Sequence, residues 1–151
     1  MSYVIANASE WPLERLAPYM SDVLREMGRL ADRFPGDVTM QALYGEFLTG
    51  KKTLWLVLDG SKFVSMAMSS IRTVDATGQR IGTLSDLAGR DVQKYAPELC
   101  AAVEAWADQQ KCGVFAVEGR EGWKPLLARH GYKPFAVLYR KTKVEAHGNI
   151  H

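Results

Sequence analysis

The sequence predicts a mixed α/β (α+β) domain, on three observations. Apolar residues of the first third recur at spacings of three and four, as on packed helices. The middle third carries long apolar runs on either side of a tight-turn dipeptide, and the last third alternates short helical stripes with short apolar runs. The resulting order is β-α-α-β-β-β-α-β-α-β. At 151 residues, 47% hydrophobic and 24% charged, the composition is that of one ordinary globular domain. That domain is expected over residues 1–143, followed by a polar tail, "VEAHGNIH", over 144–151 that is expected to be mobile on its own.

The elements follow in order. "YVIA" at 3–6 reads as a short strand, and Ser9 followed by Pro12 signals a helix start. In "YMSDVLREMGRLADRF" the residues Met20, Val23, Leu24, Met27, Leu30, Ala31 and Phe34 make one apolar helical face, ended by Pro35-Gly36. Asp37 is placed to cap "VTMQALYGEFLTG", whose stripe of Met40, Leu43, Tyr44, Phe47 and Leu48 closes at Gly50. "TLWLVLDGSKFVSMAMSSIRTV" then forms a hairpin about Asp59-Gly60, because that dipeptide tolerates the positive φ angles of a two-residue turn. A second turn in "DATGQR" leads to a third strand of the meander, "IGTLSDLAG". "ELCAAVEAWADQQ" is a helix beginning or bending near Pro97; "GVFAVEG" is a buried strand, "GWKPLLARHGY" a short helix, and "FAVLYRK" a closing strand.

Composition excludes several classes. No apolar run approaches the roughly 20 residues that span a bilayer, and "MSYVIANASEWPLERL" has neither the basic nor the apolar region of a secretory signal, so a cytoplasmic protein is expected. Nineteen basic and 17 acidic side chains give a net charge of +2, too little for a phosphate-tracking surface, so nucleic acid is unsupported as a partner. The basic "YRKTK" is read as a solvated strand end. Cys100 and Cys112 lack the spacing of a metal site or disulfide framework, and His147 and His151 have no metal-ligand companion.

The element order, with "AAVEAWADQQKCGVFAVEGREGWKPLLARHGYKPFAVLYRK" and its helix-ending Gly131-Tyr132 pair, resembles the GCN5-related N-acetyltransferase (GNAT) superfamily over roughly residues 3–142. The wording "GREGWKPLLARHGY" is similar to small GNAT-like proteins encoded in bacteriophage genomes. The resemblance implies a mixed, mostly antiparallel sheet of six or seven strands with helices on both faces. It also implies that acyl-CoA lies where the fourth and fifth strands splay, its pyrophosphate on backbone N–H groups of a glycine-rich loop at a helix N-terminus.

That loop falls on Asp91-Val92-Gln93-Lys94-Tyr95-Ala96, of which only Ala96 fits the family pattern. "LAGRD" is the nearest substitute, so Gly89, Arg90 and Ala96 are the candidate cofactor-binding residues, Arg90 alternatively a solvated loop residue. The family's thiolate-protonating tyrosine falls on Leu127, which cannot donate a proton. Tyr132 and Tyr139 are read as packing aromatics. Asp86 and Glu118 are the candidate general bases for the acceptor amine, and each alternatively caps a helix or turn. His130, one residue before Gly131, is read as a helix C-cap. Trp55 and Trp106 are read as core, while Trp123, opening a helix after a charged turn, is the candidate partner-binding residue.

Two functional readings stay open. Loss of both the phosphate loop and the tyrosine favours a non-catalytic phage accessory or virion-assembly protein, present in the host cytoplasm or in a virion, that acts through a protein partner or a second copy of itself. The alternative is an acyl-CoA-dependent N-acetyltransferase acting on an amine with a shifted pyrophosphate loop, for which acetyl-CoA is the implied cofactor. No metal is expected in either.

Overall fold

Strand β1 (Tyr3–Asn7) lies along β2 (Thr53–Asp59), which runs back into β3 (Lys62–Thr73), and β3 turns into β4 (Arg80–Gly89). These pairings are antiparallel; β5 (Val114–Val117) adds parallel to β4, so the sheet order is β1-β2-β3-β4-β5. The computed structural model describes residues 3–119 and 123–143, which divide into two compact units after Gly119. The sheet belongs entirely to the first.

Its two faces are covered by different helices. Helix α2 (Met20–Arg33) and α3 (Met40–Leu48) bury Val23, Met27, Leu30 and Leu43 against Leu54, Leu56 and Leu58 of β2, Met66 and Met68 of β3, and Ala88 of β4. The alternate residues face α4 (Val92–Gln109): Trp55 meets Trp106 edge-on with ring centroids 5.9 Å apart and gives its indole N–H to Ser69 Oγ at 2.8 Å. A Cβ on Gly82 would come within 2.8 Å of Ala107 Cβ, so glycine lets α4 lie close over β4. A mixed, mostly antiparallel sheet with helices on both faces is therefore the architecture.

Several local expectations shift. The hairpin's central residues are Gly60-Ser61 rather than Asp59-Gly60, since Asp59 and Lys62 close the ladder and Gly60 takes φ +64°. Thr39, not Asp37, caps α3, accepting from Ala42 N at 3.0 Å. Ser9 does not start a helix: its Oγ accepts from Leu54 N at 2.8 Å, while Asn7 caps a single 3-10 turn before α1 (Leu13–Leu16). Helix α4 begins at Val92, ahead of Pro97, because burial of Tyr95, Ala96, Leu99, Cys100 and Val103 outweighs the one backbone bond that proline removes. "GVFAVEG" is a half-exposed edge strand and not a buried one.

In the second unit, α5 (Lys124–Arg129) ends as expected. Gly131, at φ +87°, donates to Ala128 O at 3.3 Å and Tyr132 to Leu127 O at 3.0 Å, a Schellman closure. His130 is the C-cap residue. The closing strand "FAVLYRK" is not formed, so the described residues contain five strands rather than six or seven. Alternation selects which side of a strand would be buried, but a strand exists only where a neighbour completes its ladder, and Phe135, Val137, Leu138 and Tyr139 are exposed. The 144–151 tail and most of the "GREGW" turn lie outside the described residues.

Candidate functional site

The β4–β5 ladder is short. It runs from Ile81 opposite Val114 to Leu84 opposite Val117, and its last bond is Glu118 N to Leu84 O at 3.0 Å. Strand β4 continues from Ser85 to Gly89 paired only with β3, so the first unit leaves that edge of β4 without a strand neighbour. The parting coincides with a bulge, where Ser69 pairs with Leu84 and Met68 with Asp86, leaving Ser85 extra. A bulge re-aims the side chains that follow it. Asp86 thereby shares the face of Met68, beneath α3.

There the carboxylate meets a cation. Lys52, in the link between α3 and β2, places Nζ 2.8 Å from Asp86 Oδ2 and 3.5 Å from Glu46 Oε1 of α3, and Ser85 donates to Asp86 Oδ2 at 3.0 Å. The Lys52 and Asp86 side chains are only 20% and 14% exposed. Burial by itself pulls the Lys52 pKa down, but the bond to Asp86 and the charges of Asp86 and Glu46 outweigh it and leave it above its ordinary 10.5. Lys52 thus stays an ammonium and holds a carboxylate at the point where β4 leaves β5.

The candidate cofactor residues are not gathered in one loop. Gly89 ends β4 against β3: a Cβ there would stand 2.1 Å from Ser65 Cβ and 2.7 Å from Val64 O, so glycine is required by backbone approach to a strand. Arg90 is exposed, with its N–H toward Val64 O at 3.5 Å. Ala96 is buried in the second turn of α4. Asp91, the N-cap, adopts a left-handed φ of +57° without a side-chain cap bond, and Lys94 N bonds Asp91 O at 2.9 Å. The segment that would be a phosphate cradle is helix from Val92 onward. Next to it, Tyr95 is wholly buried; its hydroxyl and that of Ser65 lack a well-formed hydrogen bond among the described residues, and desolvation pushes the Tyr95 pKa up to about 12.

Asp86 and Glu118 come to the same end of the β4–β5 ladder, Glu118 exposed and Asp86 partly buried. Trp123 is half-buried at the N-cap of α5. Sequence reasoning missed Lys52, Glu46 and Ser85, which no local pattern distinguishes. It also missed Glu26, which had a signal: a carboxylate between Val23 and Met27 on an apolar helical stripe. Among the described residues no cluster of metal-ligating side chains occurs, and no helix is long and apolar enough to cross a membrane.

No protein-family model matches this sequence, and no curated protein does. Solved structures do match in shape. Glucosamine-6-phosphate N-acetyltransferase from Arabidopsis thaliana superposes with a TM-score of 0.67 at 10% identity, covering 95% of this chain and 99% of that one. Aminoglycoside 6'-N-acetyltransferase from Acinetobacter baumannii gives 0.61 at 21% identity over 94% and 99%. A predicted acetyltransferase from Clostridium acetobutylicum, solved with acetyl-CoA, gives 0.63 at 9% identity over 97% and 98%. The likeness is one of fold: this chain has the GNAT acetyltransferase architecture.

Proposed function

We propose that this chain uses the acetyltransferase fold as an acyl-CoA-dependent N-acyltransferase acting on an amine. The observation that carries the reading is the position of Asp86, held by Lys52 at the bulge where β4 parts from β5. The β4 edge from Ser85 to Gly89, without a strand neighbour among the described residues, offers backbone N–H and C=O groups to an extended ligand arm, as an added strand would use them. In this reading the thioester end of acyl-CoA lies along that edge, while residues 91–96 carry Lys94, Tyr95 and a buried Ala96 in place of the glycines that let backbone close on phosphates. When bound, the thioester supplies an activated acyl carbonyl. Asp86 accepts the proton that the acceptor amine loses as its nitrogen bonds that carbonyl carbon, directly or through a water. Lys52 orients Asp86 through the 2.8 Å contact of its Nζ with Oδ2. Leu127 cannot protonate the departing thiolate, and solvent serves in that role.

The test is titration of the purified chain with acetyl-CoA, followed by acyl transfer to a panel of amines. Micromolar binding and transfer lost in Asp86→Asn support the reading. No binding at millimolar ligand ends it.

A second reading, a GNAT-shaped scaffold that acts through a protein partner or a second copy, is favoured by one observation. Phe135, Val137, Leu138 and Tyr139 present four large apolar side chains to solvent within five residues, the kind of patch that marks an interaction surface. Replacing Phe135 and Leu138 by Ser should then abolish self-association or co-purification with a partner. A monomer with the same binding profile before and after substitution counts against it.

A further inference from the structure

A hollow of about 360 Å³, within the size range of small-ligand sites, opens between α2 and the start of β3. Four cations line it: Arg25 and Arg29 from α2, Lys62 from the hairpin and Arg90 from the end of β4. Two carboxylates, Asp22 and Glu26, also line it, and their bonds are specific. Glu26, its side chain only 5% exposed, accepts from Arg29 Nη1 at 3.1 Å and lies 3.9 Å from Arg25 Nε; Asp22 pairs with Arg25 Nη2.

Each guanidinium has five N–H donors, so a carboxylate that engages one or two of them fixes the fork and leaves the others for a ligand. Lys62 forms no ion pair among the described residues, and Arg90 approaches Asp91 only at 4.0 Å. The hollow thus keeps an excess of positive charge on side chains that its own carboxylates orient. Phe63 and Val64 form an apolar wall. The position of Arg90 depends on Gly89, since only a residue without Cβ lets β4 end so close to Ser65.

We propose that this hollow binds a phosphate or diphosphate group through Arg25, Arg29, Lys62 and Arg90, by side-chain charge and not by a glycine-rich backbone loop, since residues 91–96 contain no glycine. Arginine forks and a lysine suit such a group because they supply several charge-assisted donors at once. Arg90 follows Asp86 by four residue steps along the end of β4, about 13 Å at the usual rise. The ligand's phosphate and reacting ends are therefore far apart. Two sources share this chemistry, the diphosphate of an acyl-CoA and a phosphate carried by the acceptor.

Titrating the full chain with inorganic pyrophosphate, by calorimetry, needs no acyl transfer as a readout. Saturable binding is expected, weakened by about tenfold or more in Lys62→Ala/Arg90→Ala, the scale of one or two charge-assisted bonds. All four cations project from exposed positions, and circular dichroism of the variant checks that the fold is intact. Absence of binding at millimolar pyrophosphate, or equal affinity in the folded variant, overturns the proposal. Acetyl-CoA that displaces pyrophosphate identifies the hollow as the cofactor's anchor. Acetyl-CoA that binds alongside it assigns the hollow to a phosphorylated acceptor. Pyrophosphate binding without any acetyl-CoA binding supports the hollow and rejects the acyltransferase reading.

Discussion

Lys52 and Asp86, 34 residues apart in sequence, meet at 2.8 Å on the helix α3 face of the sheet, at the bulge where β4 loses its β5 neighbour. Their pairing joins the link after α3 to the part of β4 that the proposed chemistry requires.

Lys52→Met should separate that role into two measurements. It leaves Asp86 and Glu46 without their cation, a loss of about 1–3 kcal/mol in urea unfolding for a partly buried charged pair. Asp86→Asn keeps the shape and removes the base, so kcat/KM for acyl transfer should fall by about 100-fold or more with a smaller change in stability. Equal activity in the Asp86 variant would mean that Asp86 is only a clasp.

Glycine substitutions at two positions should move stability in opposite directions. Gly89→Ala places a methyl 2.6 Å from Ser65 Cα and 2.7 Å from Val64 O, backbone that cannot step aside. Destabilisation of about 3 kcal/mol or more is expected, with the loss of the pyrophosphate site beside Arg90. Gly28→Ala, inside α2 with no heavy atom within 4 Å of the new methyl, should stabilise by about 0.5–1 kcal/mol. Thermal melting of the two variants checks both signs.

The protein should lose stability steadily at alkaline pH. Burial raises the Cys100 thiol from 9.0 to about 11 and the Tyr95 hydroxyl from 10.0 to about 12, and Lys52 also lies above its ordinary value. Each group keeps its proton to higher pH folded than unfolded, so stability is full below the unfolded values and falls as pH rises through the folded ones. The urea midpoint should begin to decline near pH 9, where the unfolded Cys100 thiol titrates. Cys100→Ala should delay that onset by about one pH unit, and adding Tyr95→Phe should flatten the decline further. A midpoint unchanged in slope by both substitutions would refute this assignment.

Tyr95→Phe should be neutral or stabilising by about 1 kcal/mol near neutral pH, because the hydroxyl it removes is buried without a well-formed partner. A loss of more than about 1 kcal/mol in denaturant unfolding would show that the hydroxyl bonds to Ser65 or to a trapped water.

Much of the fold was legible because it is written in local periodicity. The stripe on α2, the hairpin near Asp59-Gly60, the meander through "IGTLSDLAG" and the Gly131-Tyr132 helix stop each depend on residues within a turn or two of one another. Local signals also misled where a competing interaction was distant. Ser9 had the makings of a cap, but its hydroxyl was claimed by Leu54 N on a strand 45 residues later. "FAVLYRK" has the composition of a strand, yet its backbone has no ladder among the described residues.

The candidate site was half legible. Asp86 and Glu118 could be chosen as carboxylates at strand ends, and Arg90 as the cation beside a glycine, from the sequence alone. The type and order of the elements from β1 to α5 were likewise legible there, but the expected strand over 135–141 is not formed. Only the tertiary structure decided that Lys52 holds Asp86, that Gly89 serves a strand contact, and that Arg90 shares a hollow with Arg25, Arg29 and Lys62. The physical reason is range: periodicity and turn chemistry act along the chain, whereas ion pairs and close backbone approach depend on which strands become neighbours, and that is settled by burying the whole apolar surface at once.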